Sequence, residues 1–209
     1  MHRFGSFKTF LLQLHQLKLL PTIFEELEEV TLEDLATRLL PLDHFPQDVP
    51  VIAHVLELFP NTSLAHHLTL CDKFKLSNED KLFVKYYSSV RTAIQSPARP
   101  LLEPYDWAYL YAHPQFSLCL MMTLSHFNNE KKAELLAFHT QAQKNLEPSI
   151  RRIKTKDPVV KSQDLLKAGI APGVLMGKLL KEAEKLSINH NLYDPKAIIS
   201  RLKAGPLWP

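Results

Sequence analysis

His54, His66, His67, Cys71 and Asp72 fall in one short stretch and are residue types that ligate transition metals. On a helix His67 and Cys71 would share a face, being four residues apart. Two ligands do not complete a site, and the stretch reads as structural and surface histidines, so no metal and no cofactor are expected in this chain. A second group is cationic. Arg151, Arg152, Lys154, Lys156 and Lys161 run along a segment whose single acid is Asp157, and Lys167, Lys178 and Lys181 follow. Cations repeated along a segment suit contact with a phosphate backbone, which gives affinity without base specificity and weakens steeply with salt. A solvated basic face would leave the same pattern. A third group is aromatic: Tyr105, Trp107, Tyr109 and Tyr111 could stack bases, but at this spacing they read first as packing residues. No Gly-x-Ser-x-Gly elbow is present, so nothing points to a hydrolase nucleophile of that kind.

The net charge of +3 hides an asymmetry. Residues 1–143 hold 12 Lys+Arg against 16 Asp+Glu, a net of −4, and residues 144–209 hold 13 against 6, a net of +7. Such a division between ends points to a nucleic-acid-facing tail. Cys71 and Cys119 lack zinc or redox spacing and are expected as reduced thiols in a cytoplasmic protein. Gln13, His15, Gln16 and Lys18 interrupt the apolar residues near the N-terminus, so no signal-peptide core forms there. The most apolar segment, Phe116 to Phe127, is much shorter than the roughly 20 residues a membrane span needs. No membrane partner is expected.

The elements that must carry these groups read as an all-α, multi-helix bundle. Glycine is scarce at 5 and proline frequent at 15, which suits helices joined by proline-marked loops. Apolar spacing predicts a helix over 6–20 that Pro21 ends or kinks, and the capping box Thr31-Leu32-Glu33-Asp34 predicts another to about Leu40. Pro41, Pro46 and Pro50 mark a loop. Further helices are predicted over 51–59, over 64–74 behind Ser63, and from Ser77 with Asp80 to about Ile94. Ser96 to Pro104 reads as a linker, followed by helices over 105–111, 114–127 and 129–145. Ser149 to Lys161 reads as a basic, proline-containing connection. Asp164 to Ala168 forms a short helix closed by Gly169, and Gly173 to Leu186 forms a second, with Val174, Leu175, Leu179, Leu180, Ala183 and Leu186 facing inward. Gly177 inside that helix is expected to mark the close approach of another helix. Asp194-Pro195 caps a last helix to about Lys203. The expected division is 1–145, a body-like domain, and 146–209, a basic tail-like domain with a helix-turn-helix-like unit.

These residues carry a family resemblance. Asp164-Leu165-Leu166, Gly169-Ile170-Ala171-Pro172-Gly173 and Gly177-Lys178-Leu179-Leu180, with the closing Asp194 helix, resemble the C-terminal signature of tRNA nucleotidyltransferases and bacterial poly(A) polymerases. Phe74 to Glu79, and Leu17 to Pro21 with Phe24 and Leu27, resemble two further segments of that family in the same order, so the resemblance covers nearly the whole chain. Ser162 and Val174 depart from the family pattern. The resemblance implies an RNA-holding body and tail, with Asp164, Gly169, Pro172, Gly173 and Gly177 as its structural motif. It also implies that Mg²⁺ and nucleotide belong to a catalytic head. No Asp-x-Asp pair that could hold two Mg²⁺ ions is present, and in Glu33-Asp34-Leu35-Ala36-Thr37-Arg38 the arginine stands one residue too late for the family's nucleotide-selecting motif. The chain alone is therefore not expected to polymerise.

The leading expectation is a module that holds tRNA or an RNA 3′ region through Arg151, Arg152, Lys154, Lys156, Lys161, Lys167, Lys178 and Lys181, either beside a separate catalytic head chain or in a retained holding role. The choice between CCA addition and polyadenylation would lie in that head. A helical protein-interaction module without RNA binding is the alternative. DNA binding through Asp164–Leu186 ranks lowest, because the second helix offers few long polar side chains to a groove.

Overall fold

A computed structural model describes residues 7–95 and 102–209. Most of the linker expected from Ser96 lies outside the described residues. Thirteen α-helices and two 3-10 turns, with no strand, make up the regular structure among the described residues, so the fold is all-α.

The chain divides into two compact units. The described residues of Met1–Pro97 and Ser117–Leu136 form the first, and those of Ala98–Phe116 and Ala137–Pro209 form the second. The second unit thus takes up residues 102–116 and 137–145, which composition alone grouped with the first. The reason is packing: the helix α7 (Pro104–Ala112) lies against α10 (Glu147–Thr155) and α12 (Val174–Asn189).

In the first unit, α1 (Phe7–Gln16), α2 (Leu19–Ile23) and α3 (Leu32–Arg38) enclose a core of Leu11, Leu20, Phe24, Leu27, Leu35, Leu39, Leu58, Phe59 and Leu70. Pro21 does not end the first helix. The break comes at Lys18, which takes a left-handed φ of 57°, and Pro21 sits inside α2. Proline is tolerated in a first helical turn, where its missing N–H has no partner to lose. Thr31 caps α3 as its sequence requires, its hydroxyl oxygen accepting the Asp34 N–H at 3.1 Å. Pro41 starts a 3-10 turn, Leu40–His44, rather than an open loop. Then follow α4 (Val51–Leu56), α5 (Leu64–Lys73) and α6 (Asn78–Gln95). α5 closes with a Schellman turn in which the Leu76 N–H reaches the Cys71 carbonyl and Lys75 stands at φ 52°. α8 (Phe116–Leu124) and the first half of α9 (Asn129–Asn145) complete the unit.

The second unit holds α7, the rest of α9, and α10 to α13, with α11 at Ser162–Lys167 and α13 at Pro195–Lys203. Its C-terminal core is Val160, Leu165, Ile170, Met176, Leu179, Ala183, Ile198 and Leu202. The segment read as a basic connection contains α10. Glu147 and Pro148 open that helix, Arg152 and Lys154 lie in its last turn, and Lys156 ends it at φ 55°. Proline near a helix start and cations near its end are favourable signals, and here they outweigh the loop-like composition. α11 and α12 form the helix-turn-helix-like unit. The Ile170 N–H meets the Leu165 carbonyl and the Gly169 N–H meets that of Leu166, both at 3.0 Å, with Gly169 at φ 92°. Asp164 caps the start of α11 through the Lys161 N–H at 2.9 Å. Three expectations about α12 fail. Leu175, expected to face inward, is 38% exposed. Val174 is 80% exposed, because it lies in the first turn beyond the core contact. A Cβ on Gly177 would meet nothing within 4 Å, so among the described residues no helix approaches there.

Candidate nucleic-acid interface

The second unit carries a cleft of about 790 Å³. Its cationic lining comes from Arg152 and Lys156 at the end of α10, Lys161 before α11, and Lys181 on α12. Tyr105 and Tyr109 of α7 line the same cleft. Four of the eight cations singled out by sequence therefore converge. The other four, Arg151, Lys154, Lys167 and Lys178, are exposed but do not line the cleft.

α7 is held in place to present its tyrosines. The Tyr105 N–H donates to the Asn189 Oδ1 at 2.8 Å, Asn189 Nδ2 donates to Glu103 Oε2 at 2.8 Å, and Lys185 Nζ pairs with the same oxygen at 2.9 Å. The start of α7 is thus tied to the end of α12. One helical turn apart, the two rings stand 4.7 Å from each other, tilted by 48°. Burial and the neighbouring Tyr109 push the Tyr105 phenol well above its usual range, so that ring is neutral at any ordinary pH. Tyr109 is 45% exposed, open to a stacking partner. Trp107 and Tyr111 point elsewhere. They stack on one another at 5.5 Å, and the Tyr111 hydroxyl meets His139 Nδ1 at 3.0 Å within the unit. Sequence spacing alone could not separate these two pairs, because one helix serves both.

The cations differ in how free they are. Arg152 is largely engaged. Its Nη2 donates to Ser187 Oγ at 3.1 Å and lies 3.7 Å from Glu184 Oε1, while its guanidinium sits over the Tyr193 ring at 5.2 Å. Lys161 pairs with Asp157 at 2.9 Å. That pair is exposed on both sides and therefore weak, and a phosphate could replace the carboxylate. Lys156 and Lys181 have no ion-pair partner among the described residues.

Sequence reasoning missed Glu184. It lies on the buried side of α12 between Ala183 and Ser187, and its side chain is 9% exposed. Burial raises its carboxyl above the usual range, opposed by Arg152 and by the Val159 backbone amide. Among the described residues neither Glu184 Oε2 nor Arg152 Nε has a hydrogen-bond partner, although both are buried. An acid within an otherwise apolar helical stripe was the signal available.

The possible metal ligands of the first unit are not brought together. His54 packs on Phe7 and Phe45, at 4.9 and 5.6 Å between rings. The Thr62 hydroxyl donates to the Phe59 carbonyl at 3.0 Å, so its oxygen accepts from His67 Nε2 at 2.9 Å. Cys71 is fully buried, and Asp72 pairs with Lys81 at 2.6 Å. Among the described residues no three His, Cys, Asp or Glu side chains are grouped as metal ligands. No helix among the described residues is long and apolar enough to cross a membrane.

No protein-family model matches this chain, and no curated protein or solved structure matches it either.

Proposed function

We propose that this chain holds RNA, as a module of the kind found in the body and tail of tRNA nucleotidyltransferases and bacterial poly(A) polymerases. The backbone of a tRNA or other RNA 3′ region lies along the second unit and meets Lys156, Lys161 and Lys181, with Arg152 beneath them. A single observation supports this reading most: four cations and two tyrosines from four separate segments line one cleft. The unit's charge agrees, since Ala98–Phe116 and Ala137–Pro209 carry 14 Lys+Arg against 8 Asp+Glu, a net of +6. Arg151, Lys154, Lys167 and Lys178 extend the attraction at longer range without gripping in the cleft. Nucleotide transfer, with its Mg²⁺ and nucleotide, would be the work of a separate catalytic head chain.

Filter-binding titration of tRNA at two salt concentrations tests the proposal. Three phosphate contacts to a flexible strand give a log–log salt slope of about −2, a loss of roughly twentyfold between 50 and 200 mM salt. Absence of binding at the lower salt would defeat the RNA reading and leave the helical protein-interaction module.

A further inference from the structure

The first unit carries a hollow of its own, of about 500 Å³, formed where four segments meet. Arg38 reaches it from the end of α3, His44 from the 3-10 turn Leu40–His44, Glu57 from just after α4, and His126 from the segment after α8. Its charges do not balance. Glu57 is matched by Arg91 at 3.4 Å, and Asp43 by Lys8 at 2.6 Å. Arg38 has no ion-pair partner among the described residues. Its Nη1 donates to the Leu58 carbonyl at 2.9 Å, which holds the guanidinium in place. This is a half-buried cation in a unit with 14 Asp+Glu against 11 Lys+Arg, where carboxylates are plentiful and none is brought to it. Glu57 Oε2 and His126 Nε2 are enclosed atoms without a hydrogen bond, but the remaining nitrogens of Arg38 are not of that kind and stay open. The Thr37 and Ser125 hydroxyls at the hollow donate to the Glu33 and Met122 carbonyls. The donors left for a ligand are Arg38 and the exposed His44.

We infer that this hollow binds the oxyanion group of a small organic molecule, a phosphate monoester or a carboxylate, with the Arg38 fork on two of its oxygens and His44 donating beside it. A guanidinium presents paired N–H donors whose spacing matches either group, and such charge-assisted contacts are among the stronger polar ones. The acids at the hollow, Asp43 and Glu57, already have cations, so neither repels an anion as a free carboxylate would. The organic part of the ligand also has walls to meet, because Leu40 is 54% exposed and Phe127 is half-buried at the same hollow. None of these residues takes part in the RNA reading.

Isothermal titration calorimetry of the full chain with phenyl phosphate and with benzoate, at constant ionic strength, tests this. Saturable binding of either supports the inference and tells which group the fork prefers. Arg38→Gln removes the charge and the fork and weakens binding by about tenfold or more, as loss of a charge-assisted hydrogen bond does. Arg38→Lys keeps the charge and loses the fork, so its affinity falls between the two, and it stands in if the glutamine variant does not fold. His44→Gln changes an exposed residue and weakens binding by about threefold. Lys181→Gln alters the basic cleft of the second unit and leaves the affinity for both compounds as in the parent. Absence of saturable binding by either compound overturns the inference. Binding that both Arg38 variants leave unchanged overturns it too, as does binding that Lys181→Gln abolishes. The tRNA affinity of the Arg38 and His44 variants stays as in the parent, so failure here leaves the RNA reading standing.

Discussion

Each unit buries a carboxylate beside an arginine, and the two pairs are built differently. In the first unit Glu57 is fully buried, and Tyr87 Oη, Arg91 Nη1 and His126 Nε2 surround a single one of its oxygens at 3.3, 3.4 and 3.4 Å. In the second, Glu184 faces Arg152 at 3.7 Å, and the arginine gives its hydrogen bond to Ser187 instead. The surroundings also differ in sign. The first unit holds 11 Lys+Arg against 14 Asp+Glu, whereas the second has its excess of cations around the cleft. A carboxylate enclosed by three partners serves to join helices α4, α6 and the segment after α8. Oε2 of Glu57 and Oε2 of Glu184 are alike in having no hydrogen-bond partner among the described residues, so the difference lies in the setting, since Glu184 lines a cleft with four cations. The same residue pair thus joins three segments in one unit and lines a basic cleft in the other.

The sharpest way to break this comparison is Glu57→Ala. Removing Glu57 leaves a half-buried Arg91 without its counter-charge and opens a fully buried site, and the expected loss is about 3 kcal/mol in urea denaturation followed by circular dichroism. Replacing Glu57 and Arg91 together by leucine and methionine restores most of that loss, since no uncompensated charge remains. A small effect of the single change would mean that Glu57 is not the joint described here.

Glu184 gives a difference of sign with pH. Its folded carboxyl is raised above the ordinary 4.5 by burial, with Arg152 opposing. The folded state therefore binds the proton more tightly than the unfolded chain. The stability this contributes is present below the ordinary carboxylate value and is lost as pH rises through the raised one. Glu184→Gln removes that loss, so its stability relative to the parent grows with pH across this window. Thermal melts at several pH values measure it, and parallel curves for the two proteins would contradict the raised carboxyl.

Much of the architecture was legible in the sequence because its signals are local. Thr31, Ser63, Ser77 and Asp194 each cap the helix they precede, and Gly169 closes α11 in the left-handed turn its position calls for. The α10 helix was not legible, because Pro148 and a run of cations suit a loop as well as a helix end. Its packing on α7 decides between them, and that contact joins residues distant in sequence. The cleft was legible only by halves for the same reason. A basic segment is visible as composition, but which four of its eight cations converge depends on where α7, α10 and α12 meet. Glu184 drew no notice because a lone acid in a stripe is common on half-buried helices.

A paired substitution sets the two units side by side. Lys75 and Lys156 both end a helix in the left-handed region, at φ 52° and 55°, where a side chain costs about 1 kcal/mol and glycine costs nothing sterically. Lys75→Gly and Lys156→Gly should each stabilise the protein by up to about 1 kcal/mol, less what glycine's freedom in the unfolded chain takes back. RNA affinity separates them. Lys156→Gly loses a cleft cation and flattens the salt slope by about one unit, while Lys75→Gly leaves binding unchanged. Equal binding losses from both would show that the lysine at the cleft has no special part.

The smallest effect belongs to Gly177, and its sign is what matters. Its place inside a helix suggested that this glycine admits a neighbouring helix, in which case alanine would clash and destabilise. The space beside it is open and its φ lies in the ordinary helical range. Gly177→Ala should then raise stability by roughly 0.5–1 kcal/mol, the usual gain of alanine over glycine inside a helix. Urea denaturation measures the change. RNA binding gives the second reading, because an unaffected affinity leaves Gly177 with no part in the grip. A loss of affinity without a loss of stability would instead mean that the bound strand comes close to the backbone of α12 at this point, one turn from Lys181, and would extend the interface beyond the cleft along the helix.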